Sequence, residues 1–347
     1  MKGPESQTAL VLAQSTALVR KAVAKLAKRG LGELWLLESA EEWFERAKTA
    51  KSKNQLIEFF ECLQRTVALD PEHTDGLDQL GMAYHDGIGT LRDQVAAVEY
   101  FRRAAERGHA EAQFHLGLVF ELGHGVPRDL AEGIAWERKA ADQGHSGAQY
   151  RMGAHSKAGG EGGIFNLSQS VEWYRKAAEQ GHAASQWELG QIYHHPKGVV
   201  KNLTEAAGWY RKAANLGHRD AQFSLSYTIE EGGVIQDRPE AMAWLHKAAE
   251  GGYGVAQRCL GDRYFWGDGV PRDRTQGMAW YLKAAEQRDC SAIYKLARMY
   301  AEGHGVPHDD LAKAALWYRK AVDSGCDNDY GEAARWLEQH TKMGEGA

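Results

Sequence analysis

Residues 173–182 read Trp-Tyr-Arg-Lys-Ala-Ala-Glu-Gln-Gly-His, and the same frame returns along the chain. A large aromatic stands at Tyr100, Trp136, Trp173, Trp209, Trp244, Trp280 and Trp317, each four residues before an Ala that opens an Ala-Ala or Ala-Val pair. A second ladder runs in step with it: Leu80-Gly81, Leu116-Gly117, Met152-Gly153, Leu189-Gly190, Leu225-Ser226, Leu260-Gly261 and Leu296-Ala297, spaced 35 to 37 residues apart. Two independent ladders of one period establish an internal repeat, which fixes the architecture before any single motif is weighed.

Each unit reads as two helices. In the first, a small residue four before the Leu (Gly76, Ala112, Ala148, Ser185, Ala221, Ala256, Ala292) keeps helical spacing and lets helices approach closely. A glycine-rich turn follows, then a residue suited to cap a helix N-terminus: Asp93, Asp129, Asn166, Asn202, Asp237, Asp273 and Asp309. Glu132, Gln169, Glu205, Glu240 and Gln276, three residues later, predict capping boxes. The second helix ends at Gly108, Gly144, Gly181, Gly217, Gly252 and Gly325, which suit the left-handed position after a helix; Arg288 stands there once and predicts local strain.

Helix pairs that cannot bury their apolar side alone stack on their neighbours, so the expected fold is all-α, a right-handed α-solenoid. The small-residue, Leu-Gly, glycine-turn, Asp, Trp-Tyr-x-Lys-Ala-Ala-Glu-x-Gly-His pattern resembles the Sel-1-like repeat family, a relative of tetratricopeptide repeats. The resemblance covers seven repeats over residues 73–328. Residues 39–72 read as a degenerate tetratricopeptide-like repeat, 1–38 as an N-terminal helical segment, and 329–347 as a C-terminal capping helix and tail. Departures from the pattern fall in the third turn, 159–163, and in the shortened fourth turn, 194–198. Residues 8–29 form an amphipathic pattern inside a stretch, 1–30, that carries +5; it is a solvated cap on the repeats or a helix for a partner or membrane surface.

Composition bounds the function. With 347 residues, 43% hydrophobic and net charge −5, the chain has a large core and lacks the basic footprint of a nucleic-acid binder. No apolar run reaches the length of a membrane span, no signal peptide is recognised, and four cysteines in so long a chain predict free thiols and a cytoplasmic location. No phosphate-loop, nucleophile-elbow or zinc-protease motif occurs, and the Gly-x-Gly turns follow helices instead of strands. No cofactor and no metal site are therefore expected. His109, His145, His182 and His218 share one repeat position, too far apart to share an ion, and are assigned to the turn itself. An enzyme or metal protein built on the repeats is the alternative reading.

The expected activity is binding a polypeptide in the groove lined by the first helices. What the resemblance implies is an interaction scaffold or adaptor in bacterial signalling, secretion, host contact or toxin neutralisation. Two residues before the Leu the row reads Asp78, Phe114, Tyr150, Trp187, Phe223, Arg258, Tyr294, a mostly aromatic position that either faces the groove or packs between repeats, and further groove positions vary between copies. Phe265 and Trp266 form a large aromatic pair where other repeats mostly carry polar or small residues. With Tyr227, Arg258, Tyr294, Arg298, Phe223 and Trp187 they make up the candidate site. Ten acids in the groove rows (Asp75, Asp78, Asp86, Glu111, Glu121, Asp220, Glu230, Glu231, Asp262, Glu302) against Lys157, Arg258 and Arg298 imply a basic or apolar partner.

Overall fold

The computed structural model describes residues 39–158, 166–195, 200–231, 237–304, 310–326 and 331–344, with side chains of the last helix to 340. The helical reading of residues 8–29, most of the two atypical turns and the cap at Asp309 lie outside these residues. Seventeen helices are present among the described residues. An N-terminal pair, α1 (Ala40–Ser52) and α2 (Leu56–Leu69), precedes the regular pairs. The first helices of those pairs are α3 (Thr74–Asp86), α5 (Ala110–Leu122), α7 (Ser146–Ala158), α9 (Ala183–His194), α11 (Arg219–Glu231), α13 (Gly254–Trp266) and α15 (Cys290–Ala301). The second helices are α4 (Gln94–Glu106), α6 (Leu130–Asp142), α8 (Leu167–Glu179), α10 (Leu203–Asn215), α12 (Arg238–Glu250), α14 (Arg274–Glu286) and α16 (Leu311–Asp323); α17 (Glu332–Gly344) closes the series. The chain is an all-α repeat protein. It forms two compact units, one up to Met152 and one from Gly153.

In four of the seven regular pairs the Gly of the Leu-Gly step is a socket for a ring of the second helix: Phe101 against Gly81, Tyr174 against Gly153, Tyr210 against Gly190 and Tyr281 against Gly261. A Cβ on Gly81 would fall 2.7 Å from the Phe101 ring, inside any real carbon contact. These rings are the most deeply buried large side chains, Tyr210 at 0% exposure. The Trp just before that position is buried at Trp173, Trp209 and Trp280 and half-buried at Trp136, Trp244 and Trp317, and the lysine three residues on covers it: Lys139 on Trp136 at 3.5 Å, Lys212 on Trp209 at 3.8 Å and Lys283 on Trp280 at 3.9 Å.

The caps form where the sequence puts them, with two corrections. The last second helix is capped by Asp310, which accepts from the Lys313 amide, one residue after the position read from the sequence. The predicted capping boxes close on one side only. Asp129 accepts from the Glu132 amide, but its own N–H already donates to the Phe120 carbonyl at the end of the first helix, and Asn202 and Asp273 do the same with Tyr193 and Tyr264. No donor is left for the glutamate. Glu132 and Glu240 instead accept from the indoles of Trp136 and Trp244, and Glu240 receives Arg211 of the preceding second helix at 2.8 Å.

At the other junction the histidines act as N-caps. Nδ1 of His73, His109, His145, His182 and His218 accepts the amide of Gly76, Ala112, Ala148, Ser185 and Ala221. Nε2 of His73, His109 and His145 reaches Glu41, Asp75 and Glu111 of the pair before. Asp289 takes the same role with a carboxylate. Arg288 adopts the left-handed φ of 63° expected to strain it.

The expectation of four free thiols is overturned. Cys290 and Cys326 are joined by a disulfide, with Cα atoms 5.2 Å apart, and Cys62 and Cys259 are free. The two partners sit 36 residues apart, one full repeat, so stacking returns the chain to within bonding reach; sequence distance concealed the pair. The last helix, α17, packs on α16, Trp336 stacking on Tyr318 at 4.6 Å.

His218 gives this architecture a pH dependence. Burial lowers its pKa; Asp220 opposes and Arg219 adds to the shift. Only neutral imidazole leaves Nδ1 free to cap, so the stabilisation is present above the unfolded-state pKa of about 6.5 and is lost as pH falls through the depressed folded value. His218→Asn caps without titrating and is expected to lose less melting temperature than the parent between about pH 7 and 5. Parallel pH curves for the two proteins would contradict this assignment.

Candidate protein-binding surface

The row two residues before the Leu packs between repeats. Phe114 leans on His145 (4.6 Å between ring centres), Trp187 stacks on His218 (5.6 Å), and Phe223 meets Tyr253 (5.5 Å), so each aromatic rests on the cap of the next first helix. Where the cap is Asp289, the row supplies Arg258, and the stack becomes an ion pair at 3.2 Å. Asp78 is buried and accepts from His115 Nδ1 at 2.8 Å. Tyr294 stands 6.3 Å from Tyr318 of the second helix, ring to ring. Trp187, Phe223, Arg258 and Tyr294 are consequently half-buried.

The aromatic pair divides. Trp266 is 66% exposed, whereas Phe265 is 7% exposed and packs on Trp266 and Tyr281. The first residue of the equivalent pair in other repeats also tends inward, with His194 buried and Glu121 and Glu230 half-buried, while Asp86, Leu122, His195 and Glu231 face solvent. Phe265 belongs to the core, and the reading of both rings as surface residues is corrected for it. Tyr227 and Arg298 are exposed as expected. A cavity beside Trp266 also brings in Lys295, Met299 and His304, which the row analysis missed. Lys295 stands one residue before Leu296 and Met299 two after Ala297, and neither carries a distinguishing pattern of its own.

The acids of the groove rows are engaged. In the first unit Asp75 meets His109, Asp86 meets His85, Glu111 meets His145, and Glu121 shares Arg151 with Glu137. In the second, Asp220 lies 3.9 Å from His218, Glu230 pairs with Arg263, Glu231 with Lys201 (2.9 Å), Asp262 with Lys295 (2.6 Å) and Glu302 with Arg298 (3.2 Å). Glu231 also accepts from His194, and this bond, followed by the one from Lys201, holds its carboxyl below the ordinary range. No helix among the described residues is long and apolar enough to cross a membrane.

Comparison with known proteins agrees with this geometry. The Sel1 repeat model matches eight segments: 21–52, 75–109, 110–145, 146–182, 183–218, 219–253, 254–289 and 290–326. No curated protein sequence matches the chain. Among solved structures, a Sel1 repeat protein from Oxalobacter formigenes is 31% identical, with 95% of this chain and 92% of that one covered and a TM-score of 0.66. A protective antigen present in uropathogenic Escherichia coli strains, displaying an SLR fold, is 27% identical over 95% of this chain and 76% of its own, with a TM-score of 0.72. Proteins built of Sel1 repeats typically mediate protein–protein interaction. With the family pattern matched over most of its length, the chain belongs to the Sel1 repeat family.

Proposed function

We propose that this chain is a non-enzymatic scaffold or adaptor that binds a polypeptide on the first-helix surface of the repeats between 219 and 326, with Trp266 as its anchor. The observation that carries this is Trp266 itself, two-thirds exposed at the end of α13 in a repeat whose other large aromatics are packed. An indole left two-thirds open to solvent costs solubility unless a partner covers it, and Trp dominates binding hot spots. Tyr227, 54% exposed on α11, extends the surface.

The expected setting changes with the disulfide. A bond between Cys290 and Cys326 supports an oxidising compartment over the cytoplasm expected from the sequence, and the likeness to a protective antigen of uropathogenic bacteria supports a role in host contact.

The partner recovered by cross-linking and mass spectrometry is expected to lose at least about thirtyfold in affinity for Trp266→Ala, a hot-spot loss of about 2 kcal/mol. Leu316→Ala, removing an equally exposed apolar residue from the second helix α16, is expected to bind as the parent does. Equal binding by both variants would move the site elsewhere. Thiol titration of the denatured, unreduced protein from its native source is expected to count two free cysteines; a count of four would restore the reducing compartment.

A further inference from the structure

The cavity next to Trp266 says what kind of partner this surface fits, and the inference rests on the proposed surface. About 150 Å³ of space opens between α13 and α15. Phe265, Tyr281 and Met299 form its buried wall, and Trp266, Arg298 and His304 stand at its mouth. An apolar cavity of that size holds a group no larger than benzene. It therefore admits one side chain and no secondary-structure element.

The charged side chains that line it are closed on carboxylates or bases of this surface, while Arg274 lies over the Phe265 ring, 5.3 Å from its centre. Lys295 is held by Asp262, which also accepts from the Tyr281 hydroxyl at 2.5 Å. Arg298 and His304 share Glu302, at 3.2 and 3.0 Å. Arg263 bridges Glu230 and Asp268. The groove rows set only Arg258 and Arg298 against the acids of this region because Lys295 and Arg263 lie outside them, one residue before the Leu and two after the Gly; helix stacking turns both onto acids of the rows. A charged ligand would have to break one of these pairs and leave its partner desolvated, which costs more than it returns. An uncharged ligand displaces only water from the cavity and the indole.

We infer that the partner presents an uncharged, apolar segment and inserts a single aliphatic side chain, Leu, Ile or Met, into the cavity beneath Trp266. The paired charges act as a rim that excludes water and rejects highly basic or acidic segments; they supply little attraction of their own.

The probe is a displayed library of random peptides of about twelve residues, enough to span a hot spot and its rim, selected on the full chain and counter-selected on Trp266→Ala. Enriched peptides are expected to share one aliphatic position and to show no excess of Lys or Arg. Replacing that residue by Ala should weaken binding about tenfold, the effect of roughly 1.4 kcal/mol. Affinity should change by less than about twofold between roughly 0.05 and 0.5 M NaCl, because no long-range charge attraction is being screened. Peptides that require Trp266 but are rich in Lys or Arg and dissociate with salt would overturn the inference and leave the surface standing. If no selected peptide requires Trp266, the surface falls and the inference with it.

Discussion

A phenylalanine or tyrosine ring packed against a glycine closes four of the seven regular helix pairs. Where the second helix carries Tyr174, Tyr210 or Tyr281, the first helix has no Cβ at Gly153, Gly190 or Gly261, and the two backbones close around the ring. Two exceptions respect the same limit on space, whereas the last pair keeps a Cβ at Ala297 although its second helix carries Tyr318. Ser226 stands where the second helix offers Leu245 in place of a ring, and Gly117 receives the stem of Glu137, a buried carboxylate held by Arg151. Everything else in the repeat is arranged around a fixed close approach: the small residue four before the Leu, the turn glycines, and the cap whose amide is tied to the end of the first helix.

The junctions between repeats use a different chemistry. Histidine or aspartate caps the next first helix with one atom and receives the preceding repeat with another, so stacking is set by directional hydrogen bonds as well as by burial. This consumes most polar side chains of the first-helix rows. Residues that remain outside such pairs are few, which is why one exposed indole and one small cavity carry the binding argument. Proteins built of Sel1 repeats typically mediate protein–protein interaction, and the chemistry proposed for this surface rests on the side chains that the scaffold leaves over.

Much of this was legible in the sequence because it repeats. Periodicity gave the helices, the Asp and Asn caps, the terminal glycines and the strain at Arg288, since each position was written up to seven times. What could not be read were relations between repeats. The Arg258–Asp289 pair replaces an aromatic–histidine stack by two changes 31 residues apart, and the Cys290–Cys326 bond closes a distance that only stacking makes short. The inward turn of Phe265 was hidden for a related reason: at a helix end, adjacent residues point about 100° apart, so two neighbouring aromatics need not share a fate. An acid count along the rows misjudged the surface because the bases that neutralise those acids sit on adjacent positions.

The most direct measurement of the account is a double-mutant cycle at one socket, using Gly190→Ala, Tyr210→Leu and the pair together, followed by denaturant unfolding. If the ring and the missing Cβ are one interaction, Gly190→Ala costs more than about 2 kcal/mol in the parent and much less beside Leu at 210, giving a coupling of at least about 1 kcal/mol. Losses that add to within about 0.5 kcal/mol would show that the two sites are independent and that the repeat is held by something else.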